Sequence, residues 1–576
     1  MNTTFLNPTC PTQEAEPVSK EAADAFPVQW LRPDDATHHW TRDREHMPKP
    51  ITPMYNSFAA LTATEGRAPT VEPYAESIIG RDDRIVNGYD FTRLIAFTGT
   101  EEEMTQRIRR HREVVGAVSA RLQEVWEQDW RPELESIWAF WANFDLENAS
   151  DAELAAHLEG TIQKATRMWE IHYWMGPPMW FAIEEFVTYY CDLFPQKTVL
   201  NAHRLLQGFE SKTAQINRCL WELGQTARQE PEVARVLCEQ TTEKALTALQ
   251  AFAAGQKFLE ALAHFLKVYG QRSELWDWGY PSWADEPAPV LGTIRQYLAQ
   301  PDREYSQVLA QAAAEREEAI AEARRALQNY PPFMVSRFEQ LLRSAQTALL
   351  LTEDHTYYID FNGFGWIHRL IGEFGKRFAA RGLLQTPEHV FFLKFDELRE
   401  LAAAPSGKYC ALAAARKEEL DFWLAHPAPA ELGPRPEKPM LVYSADGLRM
   451  ARYCGVYLAE PQPAAKPGLL QGQPGSSGKA CGRARVILNL ADANRLEAGD
   501  ILVTATTAPP WTPLFMTAAA LVTDAGGMLS HGAVVAREFR IPAVVGAFNA
   551  TSRIRDGQWI EVDGSHGIVK FDEHPS

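Results

Sequence analysis

Residues 521–546 constrain the fold more than any other stretch of the chain. An apolar run is broken by the glycine pair Gly526 and Gly527, and Ser530 then stands where the N-cap of a helix belongs. Residues 532–539 follow with helical spacing, and an Ile-Pro pair ends them. The pattern predicts a buried strand, a tight turn and a helix.

This arrangement places His531 in the first turn of the predicted helix. The partial positive charge of a helix N-terminus disfavours imidazolium and favours the neutral, nucleophilic ring. The free N–H groups of the same helix end can bind a phosphate. The residues are therefore compatible with a histidine that accepts and carries a phosphoryl group. A histidine that only caps or packs is the alternative that a lone Ser-His pair leaves open.

The residues around His531 resemble the swivelling phosphohistidine domain of the phosphoenolpyruvate-utilising enzymes. That family includes phosphoenolpyruvate synthase, pyruvate phosphate dikinase and rifampicin phosphotransferase. The matching positions are Thr523, Gly526, Gly527, Ser530, His531, Ala533, residues 536–538 and 541–543, with 499–503, 510–513, 556–557 and 562–564 around them. The resemblance implies that His531 is the phosphorylated residue. We expect the helix end, with Thr523, Gly526, Gly527 and Ser530, to stabilise the phosphate charge.

Composition limits the classes of partner. The 576 residues are enough for about three to four domains, and the net charge of −18 argues against nucleic acid or an anionic membrane as a main partner. The seven cysteines form no Cys-x-x-Cys pair, which predicts reduced thiols in a cytoplasmic protein. No apolar run approaches the ~20 residues of a membrane helix. We expect no metal ligands in the chain itself.

Long helical patterns dominate the middle of the chain, at 101–130, 151–191, 199–227, 240–268 and 290–329. Proline-rich segments follow after residue 425, and strands alternate with short helices near the C-terminus. The sequence predicts a multidomain protein, with a large, mostly α-helical substrate domain followed by a small α/β swivelling phosphohistidine domain. The predicted units are a flexible arm at 1–27, the helical domain at 28–424, a hinge and linker region at 425–478 and the α/β domain at 479–576.

Aromatic residues flank a Gly-Pro-Pro sequence at 176–178, which predicts a helix break with an aromatic surface beside it. Aromatic side chains at helical spacing are also typical of a core, so both readings stay open. The candidate substrate-binding residues are His172, Trp174, Met179, Trp180 and Tyr357.

Two further segments resemble the helical substrate domain of the rifampicin phosphotransferase-like proteins. They are Tyr-Gly-Gln-Arg at 269–272 and the stretch 353–360, which opens Glu-Asp-His. The resemblance implies that Arg272 lies near the substrate, where it would pair with a transferring phosphoryl group or simply with a carboxylate. Glu353 and His355 are the candidate general bases for an acceptor hydroxyl.

The sequence contains no recognisable nucleotide-binding domain, so we expect a separate ATP-grasp-type subunit to load His531. Mg²⁺ is expected at that nucleotide step, with ligands in the partner. This layout resembles the phenylphosphate synthase family, which converts phenol, ATP and water into phenyl phosphate, AMP and phosphate. The resemblance implies a small aromatic hydroxyl substrate. A rifampicin phosphotransferase-like kinase of a bulkier hydroxyl compound and a non-catalytic phosphocarrier are the alternatives.

Overall fold

A computed structural model describes residues 26–44, 46–273, 275–299, 305–426, 428–437, 440, 442 and 467–572. A large, mostly helical region precedes a C-terminal α/β domain, and this confirms the predicted fold class. Residues 1–25 of the predicted arm and most of residues 438–466, in the predicted hinge and linker region, lie outside the described residues.

The helical region is built from helices that surround one large apolar core and a smaller second core. Its α-helices are Pro53–Val71, Glu101–Ser119, Leu122–Val125, Arg131–Ala142, Asp151–Leu193, Val199–His203, Lys212–Gln229, Pro231–Glu239, Thr242–Leu249, Ala253–Tyr269, Ala288–Ala299, Tyr305–Ala326, Pro332–His355, Asn362–Ala380, Phe395–Ala403 and Cys410–Leu424. Two π-helical turns, Trp126–Trp130 and Thr356–Phe361, interrupt them.

The helix Asp151–Leu193, called the long helix below, forms the centre of the large core. At about 1.5 Å per residue it is roughly 65 Å long. It continues through Pro177 and Pro178, both of which are buried, so the predicted break at 176–178 is wrong. Burial of both faces of the helix outweighs the loss of backbone hydrogen bonds at the two prolines.

A four-stranded antiparallel sheet flanks the helices in the order β2-β3-β1-β4, which the sequence patterns did not predict. Its strands are β1 (Trp40–Arg42), β2 (Ile78–Val86), β3 (Tyr89–Ala96) and β4 (Glu431–Leu432). The strand β4 comes from the predicted hinge and pairs with β1, Trp40 opposite Leu432. The amino end of the predicted hinge is therefore part of the folded helical region.

The C-terminal domain contains an eight-stranded sheet in the order β5-β12-β11-β7-β8-β9-β10-β6. Its strands are β5 (Leu469–Gln471), β6 (Gln473–Ser476), β7 (Lys479–Val486), β8 (Ile501–Thr504), β9 (Ala520–Thr523), β10 (Ala543–Val545), β11 (Trp559–Asp563) and β12 (Ile568–Phe571); its α-helices are Leu514–Thr517, His531–Phe539 and Ala550–Arg553. The strands β7 to β10 are parallel neighbours in the centre. The carboxyl end of the predicted linker thus supplies β5 and β6.

The C-terminal domain docks on the helical region through apolar side chains. Val534 joins the large core, and Met516 joins the second core. Polar contacts surround them: the Thr517 hydroxyl donates to Gln296 Oε1 at 3.1 Å, and Arg540 Nε lies 3.2 Å from Glu315 Oε1. None of the described helices combines the length and the apolar character needed to cross a membrane.

The packing of the helix Pro53–Val71 against the long helix depends on Gly66. A Cβ atom there would lie 2.7 Å from Trp169 Cβ and 2.8 Å from the backbone nitrogen of Glu170. We expect Gly66→Ala to lower the free energy of unfolding by about 1–3 kcal/mol, because neither contact can yield easily. The control Gly292→Ala, with no atom within 4 Å of its Cβ, should raise it by about 0.5–1 kcal/mol. Chemical denaturation measures both changes, and equal stabilities would contradict the prediction.

Candidate active site

The helix His531–Phe539, called the histidine helix below, starts at the candidate nucleophile itself. Ser530 occupies the predicted N-cap position, but its hydroxyl donates to the Gly527 carbonyl at 2.7 Å. Gly526 has a φ of 109°, which favours glycine, and a Cβ there would lie 3.0 Å from Ser530 Oγ. The turn before the helix is therefore as tight as the glycine pair predicted.

The predicted phosphate-stabilising residues all lie in or beside this turn. The Thr523 hydroxyl is buried and donates to the Ala525 carbonyl at 2.7 Å. The hydroxyls of Thr523 and Ser530 thus bond to carbonyls that shape the turn. The anion-binding capacity of the turn lies in the N–H groups of the helix end.

Side chains from two elements hold the imidazole ring of His531. Its Nδ1 atom lies 3.4 Å from Oε2 of Glu353, which belongs to the helical region. Its Nε2 atom lies 3.3 Å from Oγ1 of Thr512, which belongs to the C-terminal domain. Only 9% of the His531 side chain is exposed. The structure therefore brings together His531 and Glu353, which are far apart in sequence, whereas sequence reasoning gave Thr512 no role.

Electrostatics favour an ionised Glu353. Burial raises the pKa of this carboxyl, but the charge of the facing His531 ring, with smaller effects from Thr213 and His355, outweighs burial. The pKa therefore lies below its ordinary value. An ionised carboxylate beside Nδ1 favours a proton on that nitrogen and leaves the lone pair on Nε2.

The residues that follow Glu353 point in different directions. The Asp354 carboxylate accepts a hydrogen bond from the Lys212 backbone N–H at 2.7 Å, at the start of the helix Lys212–Gln229. The His355 ring is buried, with Nδ1 2.9 Å from the Leu351 carbonyl oxygen. Among the two candidate bases, only Glu353 contacts His531 directly.

Arg272 is buried between two aromatic rings. Its guanidinium carbon lies 4.9 Å from the ring centre of Trp283 and 4.4 Å from that of Phe361. Burial lowers the pKa of Arg272 to about 9, and the charge of Glu353 opposes that effect. Its Nε atom has no hydrogen-bond partner among the residues that the structure describes. A buried cationic donor of this kind is suited to an anion.

The candidate substrate-binding residues do not form one surface. Met179 and Trp180 are buried in the large core, because the long helix continues where a break was predicted; their assignment to a binding surface is wrong for this arrangement. Trp174 is half-buried, and its indole N–H donates to Glu170 Oε1 at 3.1 Å. Tyr357 is half-buried, with the Lys212 ammonium 5.7 Å from its ring centre. His172 lies in a separate group with His355 and Asp360.

Glu538 on the histidine helix adds a second carboxyl near Glu353, which the sequence patterns did not single out. Burial and then the negative charge of Glu353 raise the pKa of Glu538 to about 8, from an ordinary value of 4.5. The folded, docked protein therefore holds a proton on Glu538 at neutral pH, where an unfolded chain does not.

This shift predicts a pH dependence of stability. Because the folded pKa is raised, the contribution of Glu538 to the free energy of unfolding is full below pH 4.5 and is lost as the pH rises to about 8. Glu538→Gln should remove this part of the dependence of the free energy of unfolding on pH. Thermal unfolding between pH 5 and pH 8.5 measures it, with Glu561→Gln on the exposed side of β11 as the control. Identical slopes for wild type and Glu538→Gln would contradict the prediction.

Comparisons with known proteins agree with this geometry. Residues 180–353 match the model of the rifampicin phosphotransferase fourth domain, and residues 496–567 match the PEP-utilising enzyme mobile domain. The first match ends at Glu353 and the second contains His531, so the two residues that meet in the structure belong to the two matched domains.

Three curated relatives illustrate the range of similarity. The chain is 35% identical over 94% of its length to chondramide synthase cmdD of Chondromyces crocatus, where it covers 14% of the relative. It is 33% identical over 62% of its length to a rifampicin phosphotransferase of Bacillus cereus, covering 39% of that protein. It is 24% identical over 96% of its length to the uncharacterized phosphotransferase YvkC of Bacillus subtilis, covering 64% of it.

The chain thus spans between about one seventh and two thirds of the length of these relatives. The identity is higher over a shorter stretch in one case: a phosphoenolpyruvate synthase of Aeropyrum pernix is 50% identical over 102 residues, 18% of this chain and 12% of that protein. With both domain models matched in the order that the structure shows, this chain carries the helical and mobile domains that are typical of the PEP-utilising enzymes.

Proposed function

We propose that this chain is a phosphotransferase subunit in which His531 receives a phosphoryl group and passes it to a hydroxyl compound bound by the helical region. The observation that carries this proposal is the 3.4 Å separation between His531 Nδ1 and Glu353 Oε2 across the docked domains. A carrier histidine must meet an acceptor site, and Glu353 ends the segment that matches the rifampicin phosphotransferase fourth domain.

In the first half-reaction His531 attacks a phosphoryl group of ATP, so that a P–N bond forms while a phosphoanhydride P–O bond breaks and the rest of the nucleotide leaves on its partner. The nucleotide binds to a separate ATP-grasp-type subunit, which also supplies the Mg²⁺ ligands. Glu353 contacts Nδ1 in the docked state, so Nε2 is the nitrogen with the free lone pair and carries the phosphoryl group. The N–H groups at the start of the histidine helix favour its negative charge.

In the second half-reaction the P–N bond breaks while a P–O bond forms to the acceptor oxygen. Glu353 keeps the proton on Nδ1, so the ring departs as neutral imidazole. The acceptor hydroxyl passes its proton to His355, the second candidate base, whose Nδ1 lies 2.9 Å from the Leu351 carbonyl oxygen. Arg272 offsets the charge of the transferring group.

The acceptor in this proposal is a small aromatic hydroxyl compound of the phenol class. Three half-buried aromatic rings support an aromatic acceptor. The ring centre of Tyr357 lies 5.7 Å from that of Trp138 and 6.4 Å from that of Tyr269. A bulkier hydroxyl compound is the second candidate, and the names of several relatives favour it, because they are rifampicin phosphotransferases.

The carrier role of His531 predicts a phosphorylation that needs no partner subunit. Phosphoramidate is a small-molecule donor for histidine, and we expect it to place one acid-labile phosphate per chain on the wild type. The control His566→Asn, which changes an exposed histidine of the same domain, should carry the same label. His531→Ala should carry none, because it lacks the nucleophile. Mass spectrometry and ³¹P NMR measure the label. Full labelling of His531→Ala would overturn the assignment.

Transfer is tested by adding phenol or rifampicin to the purified phosphoprotein. We expect one of the two to discharge the label and to appear as its phosphate ester. Glu353→Gln should slow the discharge by about 10²-fold or more, because the departing ring loses its proton partner. Glu339→Gln, on the same helix as Glu353, should discharge at the wild-type rate. A label that neither compound discharges would favour the non-catalytic phosphocarrier.

Arg272 should act in the second half-reaction only. Arg272→Met should accept phosphate from phosphoramidate at the wild-type rate, since His531 is unchanged. Its transfer to the acceptor should fall by ~10²–10³-fold, the usual effect of removing one donor to a transition-state charge. Arg324→Met, at an exposed ion pair, is the control. An equal loss in both half-reactions would instead indicate a structural role for Arg272.

A further inference from the structure

A group of two histidines and one aspartate lies close to the proposed acceptor side. One ligand atom from each of His172, His355 and Asp360 lies within 4.8 Å of the other two. His172 Nδ1 is 3.9 Å from Asp360 Oδ1, and His355 Nε2 is 4.0 Å from Asp360 Oδ2. Among the residues that the structure describes, no other group of three or more such side chains meets this criterion.

These separations are longer than a hydrogen bond. Two ligands at ~2.1 Å from one tetrahedral ion lie about 3.4 Å apart. The two His–Asp separations would have to shorten by about half an ångström, and the widest separation, up to 4.8 Å, by as much as ~1.4 Å. Side-chain rotations would therefore bring the three atoms around one ion. Two imidazoles and one carboxylate are a donor set that suits Zn²⁺, Fe²⁺ or Co²⁺ and does not suit Mg²⁺ or Ca²⁺, which prefer oxygen ligands.

The tautomer of His355 fits a ligand role. Its Nδ1 lies 2.9 Å from the Leu351 carbonyl oxygen, so Nδ1 carries the proton and donates. The Nε2 atom is then the lone-pair nitrogen, and it is the atom that faces Asp360. A backbone carbonyl that fixes the second ring nitrogen is the usual support of a metal-bound histidine.

The backbone brings these residues together through an uncommon device. His355 and Asp360 are five positions apart, and residues at that spacing lie about 140° apart around an α-helix. The π-helical turn Thr356–Phe361 pairs residues five apart instead and so directs Asp360 toward His355. His172 comes from the long helix. The helix Asn362–Ala380, which follows the π-helical turn, packs closely on the long helix at Gly363, where a Cβ would lie 2.3 Å from Met168 Sδ.

The three side chains are also buried to the degree expected of an ion site, and one of them is accessible to solvent. The Asp360 side chain is 1% exposed and the His355 side chain 6%, whereas that of His172 is 21% exposed and gives a route from solvent. Three protein ligands around a tetrahedral ion leave one position open.

We propose that His172, His355 and Asp360 bind a divalent transition-metal ion such as Zn²⁺, and that its open position takes the acceptor's hydroxyl oxygen. The second half of this proposal rests on the proposed function. A metal-bound hydroxyl is acidic, so its proton passes to water before the attack. The resulting oxyanion forms the P–O bond, and His531 departs with the proton that it already holds on Nδ1. In this proposal His355 is a metal ligand in place of the base assigned to it above, and the chain itself supplies metal ligands, which the sequence analysis did not expect.

Direct binding measurements test the site without any phosphoryl donor. We expect one Zn²⁺ or Co²⁺ per metal-stripped wild-type chain, by elemental analysis after dialysis and by the visible absorption of bound Co²⁺. Asp360→Asn and His172→Gln should each weaken binding at least about tenfold. His389→Gln, which alters a buried histidine elsewhere, and His531→Ala should bind normally. Mg²⁺ should not compete. Circular dichroism checks that each variant is folded.

Two results would overturn the site: a wild type that binds neither ion, or stoichiometric binding that survives in both Asp360→Asn and His172→Gln. The catalytic half is tested separately, with protein loaded from phosphoramidate so that no nucleotide-bound Mg²⁺ is needed. Removal of the ion should slow transfer to the acceptor and leave loading unchanged, and Zn²⁺ should restore it. An unchanged transfer rate after metal removal would overturn the catalytic half and leave the proposed function in place.

Discussion

The contact between the His531 ring and the Glu353 carboxylate is the interaction on which the rest of the site depends. It joins the first residue of the histidine helix to the last turn of a helix in another domain. Both groups are mostly buried, so the pair is screened less by water than a surface pair. The apolar contacts of Val534 and Met516 hold the two domains in this docked position. The carboxylate then fixes which ring nitrogen is available for chemistry.

The three residues of the sequence Glu353-Asp354-His355 contact three different parts of the protein, because they lie where a regular α-helix ends. Glu353 faces the docked domain, Asp354 bonds to the first turn of the helix Lys212–Gln229, and His355 turns toward the long helix. The π-helical turn that follows adds Asp360 to the side of His355. One short segment therefore connects the carrier, the helical scaffold and the proposed metal site.

The sequence predicted those features that depend on local pattern. The glycine pair, Ser530 and the apolar spacing after it correctly placed a turn and a helix start at His531. The predicted break at Pro177 and Pro178 failed, because burial inside a helical core overrides local propensity. The group of His172, His355 and Asp360 could not be found from helical spacing, since a π-helical turn changes the spacing that shares a face. The strands β4, β5 and β6 lie in proline- and glycine-rich segments, which do not predict strands. Each pairs with a strand distant in sequence, and local sequence patterns do not predict such pairing.

The charges around His531 give a physical reason for the two domains to separate and rejoin. A phosphoryl group adds about two negative charges, and it would enter a space that already contains ionised Glu353 and, beside it, Glu538. The raised pKa of Glu538 means that one of the two carboxyls is neutral near pH 7, which lowers the cost of a second anion. Arg272 is buried, and its Nε has no hydrogen-bond partner among the described residues, so it compensates for this charge on the acceptor side. The charges of the docked arrangement therefore stabilise a phosphoryl group that is being transferred between His531 and an acceptor. They stabilise a phosphoryl group that stays on the histidine less well. Transfer to a hydroxyl compound moves the added charge from His531 to a product that can leave the interface, while Glu353 stays in contact with Nδ1.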